Sequence, residues 1–545
     1  MNPKYVALVF IGLTSVGIVG INILPVNSST VTLQTVTTDG VTIFYNLYQP
    51  KGLTQKRPAV IIGHGIMVNK EMMTNFATEL VTQGYIVVTL DWRGHGQSTG
   101  DLTREGLYLD LEAVVTDIPV HAPADMERIA LLGYSMGGFP TYQYAVNHST
   151  VKAWVGVGAA ADGSISDKTT PQNVIMIIAK YDEAFSPERA KESMVALTGA
   201  ELDKIEFEKV YGSINNGTAR RIHVVPGADH LTTPWNSDFV MTATSWIGET
   251  FEGSPPDISV MVFHKRVVLL FTGLTGLVGL LCVLSFMAAE KVGITSGGPS
   301  LVLESLSVSS FIGKYYVVTL LLVFTMVLFL PLFLTPLPFT ALLTTLTGGL
   351  GVNMLVYCWI LARKEENPIK MILKENLCQG PKIWIFSVGI TVVFMGCYYF
   401  LVGLHFLGMV PSLPRIPYLV LYTVILFFIF WGYSFFIQKV SNPFLERKLK
   451  IKNSTARFLL IATTTFVLIY SWFAVIVLIP CIVMNNFFYA MILILMVPIF
   501  LFVSFFGVFM ERVTGSTIPN AVLQSVWLGV VITTLSPYSS LMFVG

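Results

Sequence analysis

The chain has 545 residues, 53% of them hydrophobic and only 12% charged, with a mean hydropathy of +0.67. That balance excludes a wholly water-soluble protein and leaves room for several domains. The formal net charge of +1 hides a division: residues 31–263 carry 26 acidic and 16 basic side chains, the remainder 7 and 18. An acidic soluble domain joined to a membrane domain with basic loops is expected. The basic residues sit in short loops between apolar runs rather than on one face, which argues against nucleic acid as a partner.

Residues 1–30 read as an N-terminal anchor. An apolar run from about Tyr5 to Leu24 follows Lys4, and no small-x-small cleavage site comes after it, so the segment is expected to stay attached.

From residue 31 to 252, apolar β-rich runs alternate with helical stretches. VTLQTVTT and VTIFYNLYQP, divided by Asp39-Gly40, predict an opening hairpin. Strands are expected at about 58–63, 85–90, 127–132, 152–158, 173–179 and 220–225, with helices between them. This alternation predicts a mostly parallel sheet covered on both faces, with reactive groups at the carboxyl ends of its strands.

The loops at those ends carry chemistry-bearing residues. GHGIM, Gly63 to Met67, follows one strand, and DWRGHGQS, Asp91 to Ser98, follows the next. GYSMG, Gly133 to Gly137, ends a strand and opens a helix, which predicts a nucleophile elbow: the serine sits on a turn so sharp that its flanking positions need glycine. AKYDEAFSP presents Asp182, and PGADH presents His230. Asp162, after the preceding strand, is a rival acid, though the Asp-to-Pro spacing favours Asp182. His223 reads as structural, His64 and His95 as shapers of glycine loops, and His121 and His148 as surface residues. Glu183 and Asp229 read as solvated neighbours.

In motif and in order, residues 31–252 resemble the α/β-hydrolase superfamily. The resemblance implies an α/β fold with Ser135 as nucleophile, His230 as general base and then acid, and Asp182 orienting the imidazole. It assigns the oxyanion-hole donors to the backbone N–H groups of Ile66 and Met136. It implies no cofactor, and no HExxH or Cys/His cluster suggests a metal. The expected substrate is an acyl-bearing molecule, with lipid or another membrane-presented ester favoured by an uncapped crevice: only about 14 residues separate the strands that usually flank a helical cap. Acyl transfer, peptide cleavage, or a ligand-binding domain on a receptor or transporter are the alternatives.

Residues 253–265 read as a linker and 266–545 as an all-α transmembrane domain of about eight helices. Apolar runs recur at about 266–288, 315–335, 338–362, 383–404, 417–438, 457–481, 486–510 and 519–543. With Lys4 inside, alternate crossing places loops 363–382 and 439–457 inside with 5 and 6 Lys or Arg, whereas the loops assigned outside contain only Arg415. His264, Lys265 and Arg266 are the local exception. The hydrolase-like domain is therefore expected on the extracytoplasmic side of a multi-pass protein, with Asn27, Asn147 and Asn216 as outward sequons and Asn453 inside. The five cysteines all lie in the C-terminal half and match no zinc or redox spacing. Asn353, Asn520 and Gln524 are the nearest approach to polarity in the span centres, which argues for packing over ion transport.

Overall fold

The computed structural model describes residues 2–294, 298–485 and 490–539. They form two compact units. One contains Ser15–Gly273, Tyr399–Arg415 and the residues from Thr534 on; the other contains the residues up to Thr14, Leu274–Tyr398 and Ile416–Thr533.

The first unit is built on eight strands: β1 (Ser28–Val36), β2 (Thr42–Pro50), β3 (Arg57–Gly63), β4 (Ile86–Leu90), β5 (Ala124–Tyr134), β6 (Val151–Val157), β7 (Val174–Tyr181) and β8 (Arg220–Asp229). They lie in the order β1-β2-β4-β3-β5-β6-β7-β8. β1 and β2 form the expected antiparallel hairpin, and every pairing from β4 to β8 is parallel. The parallel strands need crossover helices, and these cover both faces: α2 (Thr74–Thr82) and α6 (Ser237–Glu252) on one, α3 (Gly106–His121), α4 (Gly138–Asn147) and α5 (Pro187–Thr198) on the other. Side chains alternate along β3. Ala59 and Ile61 enter the cluster under α3, α4 and α5, while Val60 and Ile62 pack with Phe76, Leu80, Phe239 and Ile247 of α2 and α6.

Register brings the site loops together. Gly63 at the end of β3 pairs with Gly133 at the end of β5, so the GHGIM loop and the elbow leave the sheet side by side. Between β6 and β7 there is no regular helix, and between α5 and β8 the only helical segment is the 3-10 turn Leu202–Lys204.

Helix α1 (Pro3–Ile23) precedes the sheet and α7 (Phe263–Val292) follows it. The buried Glu79 of α2 accepts hydrogen bonds from the backbone N–H groups of Val262, at 2.8 Å, and Phe263, and thereby caps the start of α7. Arg266 is buried and donates to the carbonyls of Ile21 (3.2 Å) and Leu24 (2.9 Å) at the end of α1. This explains the local exception to the charge pattern: Arg266 satisfies a helix C-terminus instead of acting as a loop charge.

The second unit is helical, with α8 (Val308–Leu321), α9 (Pro338–Lys364), α10 (Ile369–Leu377), α11 (Pro381–Tyr398), α12 (Ile416–Phe435), α13 (Asn442–Leu449), α14 (Ser454–Val483), α15 (Met491–Thr514) and most of α16 (Ile518–Leu535). Among the described residues of the whole chain, eight helices are long and apolar enough to cross a membrane, or nine if one bent pair counts as a span. That pair is α8 and the 3-10 turn Val323–Leu334, set at 45°, where an unbroken span over 315–335 was expected. Asn353 of α9 ties the break together, donating to Thr319 O at 3.1 Å and accepting from Thr325 at 2.7 Å. Asn520 likewise donates to Ser434 Oγ at 2.8 Å, so both amides link neighbouring helices of this unit.

Two expected spans differ at their ends. The run 486–510 begins at residues outside those described, and its helix starts at Met491. The run 519–543 stops being helical at Leu535, two residues before Pro537, which cannot continue the helical hydrogen bonding. Residues 536–539 instead join the sheet unit, while 540–543 lie outside the described residues.

Candidate active site

β5 runs into a single 3-10 turn, Ser135–Gly137, and then into α4. Ser135 has φ of +51°, a left-handed conformation that costs a non-glycine residue energy and holds its side chain up on the turn. The glycines around it are required by space. A Cβ on Gly137 would lie 2.6 Å from the carbonyl oxygens of both Gly63 and His64, which are backbone and cannot swing away. A Cβ on Gly65 would lie 3.0 Å from Ser135 Cβ, so the GHGIM loop runs directly beside the serine.

Three of the sequence-derived residues meet in a line of hydrogen bonds. Ser135 Oγ lies 2.9 Å from His230 Nε2, and His230 Nδ1 lies 2.8 Å from Asp182 Oδ2. An ionised carboxylate can only accept, so Nδ1 carries the proton and Nε2 is left to accept from the serine hydroxyl. Asp182 is buried and its other oxygen accepts from the backbone N–H groups of Ala184 (2.9 Å) and Phe185 (2.7 Å). Its loop is closed by Ser186, which caps α5 by accepting from Arg189 N, with Pro187 in the first turn. The rival Asp162 bonds Ser164 instead.

His230 is held from two sides. The Tyr134 hydroxyl donates to its carbonyl at 2.9 Å, the two rings stack at 5.5 Å, and Phe185 stacks on it at 5.9 Å. Burial raises the Tyr134 phenol well above its ordinary range, so it stays a neutral donor. Ile66, which follows Gly65, is exposed, and Met136, which follows Ser135 in the chain, is half-buried. Met67, at the end of the GHGIM loop, also takes a positive φ of +59°.

Behind the loop lies a buried polar layer that sequence reading left largely unassigned. His64 accepts from Trp92 N at 3.2 Å through Nε2 and bonds the Gly65 carbonyl at 2.6 Å through Nδ1, while the Trp92 indole donates to His64 O at 2.9 Å. Burial pushes the His64 imidazole down to about 4, so it is neutral and shapes the loop as expected. Asp91 accepts from Lys70 N (2.8 Å), Lys70 Nζ (2.6 Å) and Gln97 N (3.0 Å). Desolvation opposes the charge on Lys70, but Asp91 and Glu71 outweigh it and hold the ammonium above its usual range. The DWRGHGQS motif marked the Asp91 end of this pair; a lone lysine 21 positions earlier offered no signal for the other.

Among the described residues, no group of three or more His, Cys, Asp or Glu stands where it could hold a metal ion.

The family model described as Hydrolase_4, serine aminopeptidase S33, matches residues 54–197. A curated relative, an uncharacterized 31.7 kDa protein in the traX-finO intergenic region of Escherichia coli, is 27% identical over 186 residues, covering 32% of this chain and 64% of that protein. The non-heme chloroperoxidase CPO-A1 of Kitasatospora aureofaciens is 33% identical over 115 residues, 21% of this chain and 38% of its own length. The chain thus spans less than two thirds of the length of the curated relatives it matches. Among solved structures, the Pyrococcus furiosus esterase Pf2001 is similar at 16% identity and a TM-score of 0.33, covering 41% of this chain and 92% of that one. The matched segment lies within the mostly parallel sheet, so this part of the chain has an α/β-hydrolase-like fold, with a helical region of many apolar segments on its C-terminal side.

Proposed function

We propose that the protein is a membrane-anchored serine hydrolase that cleaves an ester or related acyl bond through an acyl-enzyme on Ser135. The observation that carries this reading is the Ser135–His230–Asp182 line of hydrogen bonds at the carboxyl edge of the sheet.

The chemistry follows from the tautomer. Ser135 Oγ attacks the acyl carbon as its proton passes to His230 Nε2, and Asp182 stabilises the imidazolium that forms. The tetrahedral oxyanion accepts from the N–H groups of Met136 and Ile66; one such donor is worth on the order of 3 kcal/mol in the transition state. Collapse expels the alcohol with the proton from His230. A water then gives its proton to Nε2, attacks the acyl-enzyme, and releases the acid and free Ser135.

The domain is read as extracytoplasmic. Loops 363–382 and 439–457 hold most of the basic charge, and alternate crossing from Lys4 puts residues 405–415 and the stretch after α16 on the domain's side. Both stretches group with the sheet unit, as that alternation requires. A partly exposed Ser135 without a helical cap suits a bulky or membrane-presented acyl group.

The description of the matched family favours a second reading, cleavage of an N-terminal peptide bond by the same serine. Purified protein assayed on p-nitrophenyl esters of increasing chain length and on aminoacyl-p-nitroanilides separates the two. Turnover of esters that disappears in Ser135→Ala and His230→Ala is expected; turnover confined to the anilides would replace the esterase reading by the peptidase one.

A further inference from the structure

Two segments far from the sheet in sequence lie against its carboxyl-edge loops: residues 399–415, between α11 and α12, and residues 536–538, beyond α16. Arg415 joins them. Its side chain is wholly buried, and the guanidinium bridges two carbonyls, donating through Nη1 to Ser536 O at 2.5 Å and through Nη2 to Gly94 O. Gly94 O also accepts from Tyr538 N at 2.7 Å, Tyr538 O accepts from Leu102 N at 2.9 Å, and Ser412 N donates to Gly96 O at 3.1 Å. The loop after β4 is thus held at Gly94 and Gly96, whose φ of +71° and +48° a residue with a side chain rarely adopts.

That loop leads straight to the oxyanion side of the site. Trp92, two residues before Gly94, holds His64 by both its backbone and its indole N–H, and Asp91 holds Lys70. Ile66 lies between His64 and Lys70. A second fastening reaches the same stretch directly, from Asn69 Nδ2 to Leu407 O at 2.6 Å. On the general-base side, Trp235, five residues past His230, stacks on Phe406 at 4.7 Å. These attachments fall on the loops that carry the site.

We propose that Arg415 is a positioning residue of the hydrolytic site, fixing the Ile66 N–H through the 91–97 loop and His64. The proposal rests on the serine-hydrolase reading above. A lysine at this position keeps the charge but presents a single nitrogen in place of the two Nη atoms that reach Ser536 O and Gly94 O separately, so at least one of the two hydrogen bonds is lost. Released, the loop drifts and the donor misses the oxyanion, a defect that appears in the transition state rather than in substrate binding.

The test uses the full-length protein in detergent with a water-soluble p-nitrophenyl ester, comparing wild type with Arg415→Lys and Asn69→Ala. Sites are counted by complete phosphonylation of Ser135. Per site, kcat is expected to fall about tenfold with KM within about twofold, and affinity for a trifluoromethyl ketone, a transition-state mimic, to weaken by the same factor. A purely structural role would lower the number of sites and leave each at wild-type kcat, which overturns the proposal, as does an unchanged ketone affinity. If Arg415→Lys yields no folded protein, Ser412→Pro, which deletes one amide donor to Gly96 O, carries the same expectation. Absence of Ser135-dependent turnover in the wild type would instead defeat the hydrolase reading, and this proposal with it.

Discussion

Ser135 is strained, and the strain has a visible support. Its positive φ survives because Gly133, Gly137 and Gly138 let the elbow sit against β3 and β6, where any side chain would strike backbone or the Ala159 methyl. His64 shows how much the adjoining loop depends on a neutral, buried ring. Its pKa is pushed from 6.5 down to about 4, so between those values the unfolded chain binds a proton that the folded one refuses. Stability is then complete above pH 6.5 and is lost as pH falls through 4, by about 3 kcal/mol. His95, packed edge-on at 5.0 Å and also held well below 6.5 by burial, acts in the same direction. The fluorescence-detected unfolding temperature of the sheet unit should therefore fall between pH 7 and pH 4.5, and His64→Gln should flatten that slope; an unchanged slope would show that His64 is not the group responsible.

At this scale, what could be read from sequence was what a turn imposes locally. The elbow glycines announce Ser135, and Asp182 and His230 each follow an apolar strand, where order alone identifies them. Contacts that depend on two distant loops were invisible: Lys70 with Asp91, Tyr134 with the His230 carbonyl, and Arg415 with Gly94. Arg415 left one trace, as the only basic residue in the loops that the charge pattern assigns outside, and that trace had no meaning until its partners were seen.

Among the elements, the strands were the most legible, because a parallel strand buried on both faces is a short continuous apolar run bounded by loops. β5 is longer than the expected 127–132 because its first residues are polar and half-exposed while its backbone still pairs with β3. The linker was less legible. Residues 253–265 look featureless, yet they end in a cap supplied by Glu79, 183 positions before Val262. Two buried N–H groups there lose their acceptor in Glu79→Ala. The expected cost is about 1–3 kcal/mol, read as a lower unfolding temperature of the purified protein, with Glu79→Gln recovering much of it. Equal stability of Glu79→Ala and wild type would mean that α7 starts without this cap.

For the whole molecule, hydropathy located the apolar segments but could not say where they bend or which ends belong to the sheet unit. The bend at Leu322 is tied by tertiary hydrogen bonds, and the departure of the chain from α16 at Leu535 precedes Pro537; a sliding average of side-chain hydropathy contains neither effect. Sidedness rests on charge alone and has a direct probe. Cys378 is exposed and lies in loop 363–382, assigned inside. In a variant retaining only Cys378, a membrane-impermeant maleimide should label it after permeabilisation and not before; labelling of intact cells would reverse the orientation.

The central claim is that Ser135 is a nucleophile activated by His230 on the outer side of the membrane. It is tested most directly by a charged, impermeant fluorophosphonate probe applied to intact cells expressing the full chain. Labelling of the wild type that maps to Ser135 and is lost in Ser135→Ala and His230→Ala is expected. Labelling that persists in Ser135→Ala, or is absent from folded wild-type protein even after lysis, would contradict it.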